Sequence, residues 1–261
     1  MSREEDLRRI SEALERSRAI LRDFTAGSVE HRFKSPGDPV TEADTRVNDA
    51  LRECLPRGDE GWLSEETVDD PIRLERERVW VVDPLDGTRE FVAGIPEWCV
   101  SIGLVEAGRA VAGGICNPTT GQTILGSVEG GVFLNGSPCR TRSVDSLEDC
   151  EILASRSEVK RGEWERFGAA PFRVRPMGSV AYKLALVAAG LTDATWTLVP
   201  KHEWDVAAGV ALVLSAGGAV WIPGGSEPRF NERSPKLTGL IAAPATLEAP
   251  IRSFLENPAA T

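Results

Sequence analysis

The stretch RVWVVDPLDGTREFV, residues 78–92, decides how this chain folds. Its first half is rich in β-branched and aromatic residues, which is typical of a buried strand, and Asp83 ends the apolar run. Gly87 permits a close backbone approach, and Thr88 is suited to begin a helix. The stretch therefore predicts a strand that leads, through a turn carrying Asp83 and Asp86, directly into the start of a helix.

This junction predicts a metal site beside a phosphate site. Asp83, Asp86 and the Leu85 carbonyl would face one small volume, and carboxylates that close raise each other's pKa unless a cation lies between them. Hard oxygen ligands suit Mg²⁺. The free N–H groups at Gly87 and Thr88 suit a phosphate. Taken alone, the pattern is equally compatible with an Asp-Pro turn that precedes a helix cap.

Three further acidic motifs lie elsewhere in the chain: DPVTEAD at 38–44, WLSEET at 62–67 and HEWDVAAG at 202–209. Each has an ordinary interpretation when taken alone. Glu65 is then a solvated acid, and Asp205 is a helix cap. Only the combination of the motifs indicates a multi-metal centre.

Composition limits the class of protein. A formal net charge of -10 disfavours a broad basic face for a nucleic-acid polymer, so an anionic substrate would need metal cations. No apolar run is long enough to cross a bilayer, and the charged N-terminus lacks a signal-peptide pattern, so we expect a soluble, cytoplasmic protein without a membrane partner. The five cysteines are scattered without CxxC spacing, which predicts reduced thiols and no zinc site.

Periodicity predicts how the elements follow one another. Apolar residues at helical spacing predict a helix over 4–24. Thr41 followed three residues later by Asp44 is typical of a helix cap, which predicts a second helix from Thr41 to about Leu55. Short β-rich runs over 79–135 predict an antiparallel meander. Strands then alternate with helical stretches, which indicates an α/β half.

We therefore expect two halves that pack rigidly together. The first, residues 1–142, is an α+β half with a large antiparallel sheet and most of the metal ligands. The second, residues 143–261, is an α/β half that supplies Asp205 and substrate contacts.

In order and spacing, DPVTEAD, SEET, DPLDGT and WDVAAG resemble the signature of the inositol monophosphatase superfamily, which consists of Mg²⁺-dependent, lithium-inhibited phosphatases. The similarity covers essentially the whole chain and includes GSVAYKLALVAAG at 178–190. It implies the layered αβαβα sandwich of the inositol monophosphatase and fructose-1,6-bisphosphatase type. It also implies a small phosphomonoester substrate and, commonly, a homodimer.

The resemblance also implies a metal centre of two to three Mg²⁺ ions. Glu65, Asp83 and the Leu85 carbonyl would bind the first ion. Asp83, Asp86 and Asp205 would bind the second, and Glu65 would also serve a third, weaker position.

The catalytic residues implied by the resemblance are Asp44, Thr88 and Glu65. Asp44 would partner Thr88, and the pair would orient and deprotonate a metal-bound water that attacks the phosphorus. Substrate contacts are expected from Gly87, Thr88, Arg89, Gly178, Ser179, Lys183 and His202.

The identity of the ester depends on two departures from inositol phosphatases. Arg89-Glu90-Phe91 after the DGT motif is more similar to bacterial 3'(2'),5'-bisphosphate nucleotidases. Leu198 stands where inositol phosphatases carry a glutamate that grips substrate hydroxyls, and the loss of such a contact costs about 1 to 3 kcal/mol.

We therefore rank hydrolysis of 3'-phosphoadenosine 5'-phosphate to AMP first and inositol 1-phosphate second. Histidinol phosphate or another small phosphomonoester is third, and a non-catalytic relative that binds a phosphorylated ligand is the remaining alternative. An enzyme that recognises this nucleotide would need a cation to bind the second phosphate. Lys201 is a candidate for that role in addition to Arg89, Lys183 and His202. The enzyme would also need an apolar face for the base, from Trp204 or Trp196.

Overall fold

The computed structural model describes residues 2–35 and 37–256. Within them, no helix is both long and apolar enough to cross a membrane. The helices are α1 (Arg3–Leu21), α2 (Glu42–Cys54), α3 (Thr88–Val92), α4 (Arg156–Lys160), α5 (Val180–Ala188), α6 (Glu203–Ser215) and α7 (Glu248–Glu256), with short 3-10 helices at Pro71–Glu75, Glu165–Phe167 and Ala245–Leu247.

Strands form a large sheet, a smaller sheet and two short ribbons. The ribbons pair β1 (His31–Ser35) with β2 (Asp38–Thr41) and β13 (Lys201–His202) with β15 (Lys236–Leu237). The large sheet has the order β3 (Gly61–Ser64), β4 (Arg78–Asp86), β5 (Cys99–Glu106), β6 (Arg109–Asn117), β7 (Gln122–Ser127), β8 (Gly131–Leu134), β9 (Ser137–Cys139). The smaller sheet has the order β11 (Arg173–Met177), β10 (Glu151–Ser155), β12 (Ala194–Thr197), β16 (Leu240–Pro244), β14 (Gly218–Trp221).

The antiparallel meander predicted for 79–135 is confirmed in β4 to β8. The sequence did not reveal that β3 joins the same sheet parallel to β4. A parallel pair requires a long crossover connection, and residues 65–77, with their 3-10 helix, provide it. The smaller sheet is mixed, with β10 parallel to β11 and β12, and β16 antiparallel to β12 and β14.

The elements stack in five layers. Helices α1 and α2 pack on one face of the large sheet, and α5 and α6 contact strands of both sheets. Helix α7 and the aromatic cluster around Trp196 cover the other face of the smaller sheet. This is the predicted αβαβα sandwich, and it is the fold of the structural relatives described below.

Two glycines let α6 lie unusually close to the large sheet. A Cβ at Gly113 would come within 2.5 Å of the Ala208 carbonyl oxygen, and a Cβ at Gly103 within 2.8 Å of the Ala208 nitrogen. Real side chains do not tolerate such distances, so the helix would have to move. The close contact therefore sets the height of α6, whose first turn carries Asp205, above β5 and β6.

We predict that Gly113→Val destabilises the protein by about 3 kcal/mol, because the branched side chain would collide with the backbone of α6 rather than with a flexible group. The midpoint of urea unfolding measures the loss. Gly168→Ala is the control, since Gly168 has a right-handed helical backbone, and it should change stability by less than about 1 kcal/mol. An unchanged midpoint for Gly113→Val would contradict this account of the helix–sheet contact.

Candidate active site

A cavity of about 540 Å³ is lined by residues from both predicted halves of the chain. It brings together all but one of the sequence-predicted site residues, and Asp44 lies directly behind it, hydrogen-bonded to Thr88. The predicted residues that line the cavity are Glu65, Asp83, Leu85, Asp86, Gly87, Thr88, Arg89, Gly178, Ser179, Lys183, His202 and Asp205.

A β-bulge at the end of β4 places both of its aspartates on one side of the sheet. Asp83 pairs with Ser101 and Asp86 with Cys99, so three steps along β4 match two along β5. Residues three apart in a regular strand point to opposite faces, but one extra residue restores the same face. Pro84 suits this position because it has no N–H to give to the ladder.

Asp83 is a buried acid in a negative environment. It is 1% exposed, and its Oδ1 accepts a hydrogen bond of 2.9 Å from the Leu85 N–H. Burial, followed by the charges of Glu65, Asp86 and Asp205, raises the pKa of its carboxyl well above the ordinary value. A cation in the cavity would relieve this repulsion.

Asp86 is held from the other side of the cavity by the start of α5. Its Oδ2 accepts hydrogen bonds from the Ser179 hydroxyl at 2.7 Å and from the Ala181 N–H at 2.6 Å. Burial raises the pKa of Asp86, although these donors oppose the shift. Oδ1 accepts no hydrogen bond from the described residues and is available to a ligand.

The turn that carries Ser179 is held in place by a buried lysine. Ser179 has a φ of 51°, in the left-handed region that a non-glycine residue rarely adopts. Lys183 donates from Nζ to the carbonyls of Met177 at 3.3 Å and Ser179 at 3.1 Å. Burial lowers the pKa of Lys183 to about 8. The ammonium group thus clamps both carbonyls that flank Gly178.

Asp205 is both a helix cap and a wall of the cavity. The His202 N–H donates to Asp205 Oδ2 at 2.9 Å, which closes a capping box at the start of α6. Burial, followed by the charges of Asp86 and Glu65, raises the pKa of Asp205 well above its ordinary value. The His202 ring stacks on Trp204 with ring centroids 4.4 Å apart. Burial lowers the pKa of His202.

Thr88 and Asp44 form a hydrogen-bonded pair at the start of α3. The Thr88 hydroxyl lies 3.0 Å from Asp44 Oδ1 and 3.0 Å from the Leu85 carbonyl, and it can donate to only one of them. Asp44 Oδ2 accepts from the Thr41 N–H at 2.8 Å and its hydroxyl at 2.6 Å. These bonds orient Asp44 so that Oδ1 points to Thr88.

Lys34 is a site residue that sequence reasoning missed. Its Nζ lies 2.7 Å from Glu65 Oε1 and 2.5 Å from Glu66 Oε1. Burial lowers the pKa of Lys34, but the two glutamates outweigh it and raise the pKa above the ordinary value. A lysine on a strand 31 residues away carries no local signal, so only the fold reveals this contact.

The donor set fits Mg²⁺, although its side chains are not gathered around one point. In the described part of the chain, no three His, Cys, Asp or Glu side chains already form a cluster that would hold an ion. Asp86 and Asp205 each give one oxygen to a protein donor, and Glu65 faces Lys34. The carboxylate oxygens of Asp83, Asp86 and Asp205 are hard ligands whose pKa values burial raises, so they suit a divalent cation, and Glu65 would leave Lys34 to join it.

Two aromatic residues on which the substrate ranking depended, one as a platform for a base and one as part of the motif at 89–91, lie in the core. Trp196 is 1% exposed and stacks on Trp164 at 5.4 Å, so its prediction as a platform for a base is wrong. Phe91 is also 1% exposed and packs edge-on against Trp98. Leu198 lines a separate cavity of about 430 Å³. Sequence reasoning missed Arg156 and Lys160, which do line the active-site cavity.

Comparison with known proteins finds relatives over most of the chain. The sequence model described as "Inositol monophosphatase family" matches residues 5–257. An inositol-1-monophosphatase from Mesorhizobium japonicum is 36% identical over 225 residues, which cover 81% of this chain and 82% of that protein. A fructose-1,6-bisphosphatase/inositol-1-monophosphatase from Thermotoga maritima is 34% identical and covers 82% of this chain and 84% of that protein.

Among solved structures, the extragenic suppressor protein suhB from Bartonella henselae superposes with a TM-score of 0.81 at 30% identity, covering 98% of this chain and 99% of that one. The fold and the carboxylate-lined cavity define a phosphomonoester hydrolase. The chain belongs to the inositol monophosphatase family, whose members depend on Mg²⁺.

We predict that Asp83→Asn makes the metal-free protein more stable but removes its stabilisation by Mg²⁺. Asparagine keeps the acceptor for the Leu85 N–H and removes a buried charge that its neighbours repel, which should stabilise the fold by about 1 kcal/mol or more. In the wild type, Mg²⁺ at about a hundred times its Kd should stabilise by roughly 2.7 kcal/mol. Thermal unfolding with and without Mg²⁺ measures both effects.

Glu66→Gln is the control for Asp83→Asn. Glu66 lies beside the cavity, bound to Lys34, and is not assigned to a metal. The Glu66→Gln variant should keep the full gain in Tm that Mg²⁺ gives the wild type. Equal Mg²⁺ responses in the two variants would show that Asp83 does not bind the ion.

Proposed function

We propose that this protein is a Mg²⁺-dependent phosphomonoesterase that hydrolyses inositol 1-phosphate. One observation carries the proposal: the buried carboxylates of Asp83 and Asp86 and the half-buried carboxylate of Asp205 line one cavity, with the Thr88–Asp44 pair beside them. The relatives named for inositol 1-phosphate, at 34% and 36% identity, support this substrate. The two halves, 1–142 and 143–261, would meet at this cavity.

This order of substrates differs from the one that the sequence motifs favoured. Of the motif at 89–91, Phe91 lies in the core, and Leu198 lines a separate cavity. Both names among the closely similar proteins described above include inositol monophosphatase activity. 3'-phosphoadenosine 5'-phosphate stays the second candidate, because Arg89 and Lys183 line the cavity as cations.

The residues of this chain divide the chemistry among them. Glu65, Asp83, Asp86, Asp205 and the Leu85 carbonyl would hold two to three Mg²⁺ ions, which supply Lewis acidity toward the phosphoryl oxygens and acidify a water. The free N–H groups in the first turn of α3 would bind the phosphoryl oxygens, because they have no partner within the helix.

Thr88 and Asp44 would position the attacking water. When the Thr88 hydroxyl donates to Asp44, its oxygen can accept a hydrogen bond from the water, and the Leu85 carbonyl would stay free for a metal. Burial raises the pKa of Asp44, which makes its carboxylate a better proton acceptor through Thr88. Gly178, Ser179, Arg89, Lys183 and His202 are proposed to contact the rest of the substrate.

The substrate assignment is tested by phosphate release. With Mg²⁺, the protein should release phosphate from inositol 1-phosphate, and EDTA should abolish the reaction. Release from 3'-phosphoadenosine 5'-phosphate without release from inositol 1-phosphate would restore the nucleotidase assignment. Absence of hydrolysis with either compound, and with a generic phosphomonoester, would overturn the proposal of a phosphatase active on this class.

We predict that Thr88→Ala lowers kcat by about a hundredfold or more while KM changes by less than about threefold, because the backbone N–H that binds phosphate remains. Thr88→Ser keeps the hydroxyl and should restore most of the activity. Steady-state kinetics on inositol 1-phosphate separate the two constants. A rise in KM with an unchanged kcat would assign Thr88 to binding alone.

A further inference from the structure

Helix α3 separates the active-site cavity from another cavity of about 330 Å³, which we call the rear cavity. Thr88, Arg89 and Glu90 of α3 line the active-site cavity, whereas Phe91 lines the rear one. The other walls come from the C-terminal end of α1, the segment that follows α1 and the turn between β6 and β7. The wall residues that matter below are Arg18, Arg22, Phe24, Phe91, Trp98 and Thr119.

Aromatic rings and guanidinium groups dominate these walls. Phe91 and Trp98 are almost fully buried and pack edge to face, with ring centroids 4.7 Å apart, and Phe24 lies beside them. Of the described residues that line the rear cavity, none is acidic. Apolar walls with a few polar groups are typical of a pocket that binds a small molecule.

The two cations of the rear cavity lie on one face of α1. Arg18 and Arg22 are four residues apart, and the helical backbone continues through the cap at Arg22, so their side chains are neighbours. Within residues 2–35 and 37–256, the Arg22 side chain forms no ion pair or hydrogen bond. Arg18 donates to Thr123 Oγ1 at 2.6 Å, and its ion pair with the exposed Glu15 is long, at 3.5 Å. Like charges at this spacing repel, and an anion bound by both would remove the repulsion.

Two buried N–H groups in these walls lack an acceptor. Trp98 Nε1 and Arg18 Nε are both buried, and neither has a hydrogen-bond partner in the part of the chain that the structure describes. Leaving a buried donor unpaired is costly, and native proteins pair most such groups with protein, water or a ligand. The walls are therefore rich in donors, and the group that suits them is an anion with several acceptor atoms.

We propose that the rear cavity binds a small aromatic carboxylate. The carboxylate lies between Arg18 and Arg22, which donate charge-assisted hydrogen bonds to it, and the ring packs against Phe24, Phe91 and Trp98. A volume of about 330 Å³ accommodates a fused pair of aromatic rings. A polyol phosphate would bury its hydroxyls against aromatic rings without partners, so the substrate class proposed for the active site does not suit this cavity.

The rear cavity lies directly behind the turn that begins α3. A Cβ at Gly87 would come within 3.1 Å of Trp98 Cβ, and the Phe91 N–H donates to the Gly87 carbonyl at 3.0 Å. A compound in the rear cavity would therefore contact two side chains that pack against this turn. Its binding requires neither Mg²⁺ nor a phosphoryl group, so the proposal can fail or succeed independently of the proposed function.

The test uses 2-naphthoate as the probe and full-length protein in magnesium-free buffer. Two-dimensional NMR follows the indole N–H signals of the seven tryptophans, and Trp98→Phe assigns one of them. The Trp98 signal should shift with a Kd of about 1 mM or tighter. The Trp204 signal should not shift, because Trp204 lines the active-site cavity. The neutral isostere 2-naphthamide should bind at least about tenfold more weakly, because it cannot form the charge-assisted contacts.

Two variants test the assignment of the charge. Arg22→Met removes one guanidinium from an exposed position, so the fold should be retained, and the affinity for 2-naphthoate should fall by about tenfold. Lys160→Met removes a charge from the active-site cavity and is the matched control, which should keep the affinity of the wild type. A shift of the Trp204 signal alone, or no shift at all, would overturn the proposal. Equal affinities for 2-naphthoate and 2-naphthamide, or an unchanged affinity in Arg22→Met, would overturn it as well.

Discussion

The mutual repulsion of carboxylates that line one cavity is the constraint on which this structure depends. Asp83, Asp86 and Asp205 share a cavity in which each raises the free energy of the others in their charged forms. The surrounding elements begin where they do because their donors face these oxygens. Helix α5 opens with a hydroxyl and an N–H on Asp86, and α6 opens with a capping bond to Asp205. Lys34 supplies a counter-charge to Glu65 from a separate ribbon.

Much of the fold could be predicted from local patterns. The Thr41 and Asp44 capping box begins α2 as expected, because both partners lie within four residues of each other. The meander from β4 to β8 is similarly local, since each strand pairs with the next. The parallel partner β3 was missed because its pairing depends on a crossover, and no short sequence pattern encodes a crossover.

The residues of the candidate site also differ in whether the sequence could predict them. The residues of the acidic motifs were identified because the four motifs together, in their order and spacing, resemble the signature of a known family. Lys34, Arg156 and Lys160 were not, because charged residues in ordinary surroundings give no sign of what they will face. Trp196 was misjudged for a related reason: a tryptophan between polar neighbours looks the same whether it packs in the core or borders a cavity.

The bulge between Asp83 and Asp86 makes the length of this short segment as important as its chemistry. In a regular strand, two side chains point to the same face only when an even number of steps along the strand separates them. Asp83 and Asp86 are three steps apart, and the extra residue of the bulge brings both carboxylates to one side. Deleting or inserting a single residue between them would change this spacing and turn Asp86 toward α1 and α2, even with every carboxylate retained. A substitution at position 84 or 85 leaves the number of residues between the two carboxylates unchanged, whereas an insertion or deletion does not. The number of residues between Asp83 and Asp86 is therefore as necessary to the active site as the two carboxylates themselves.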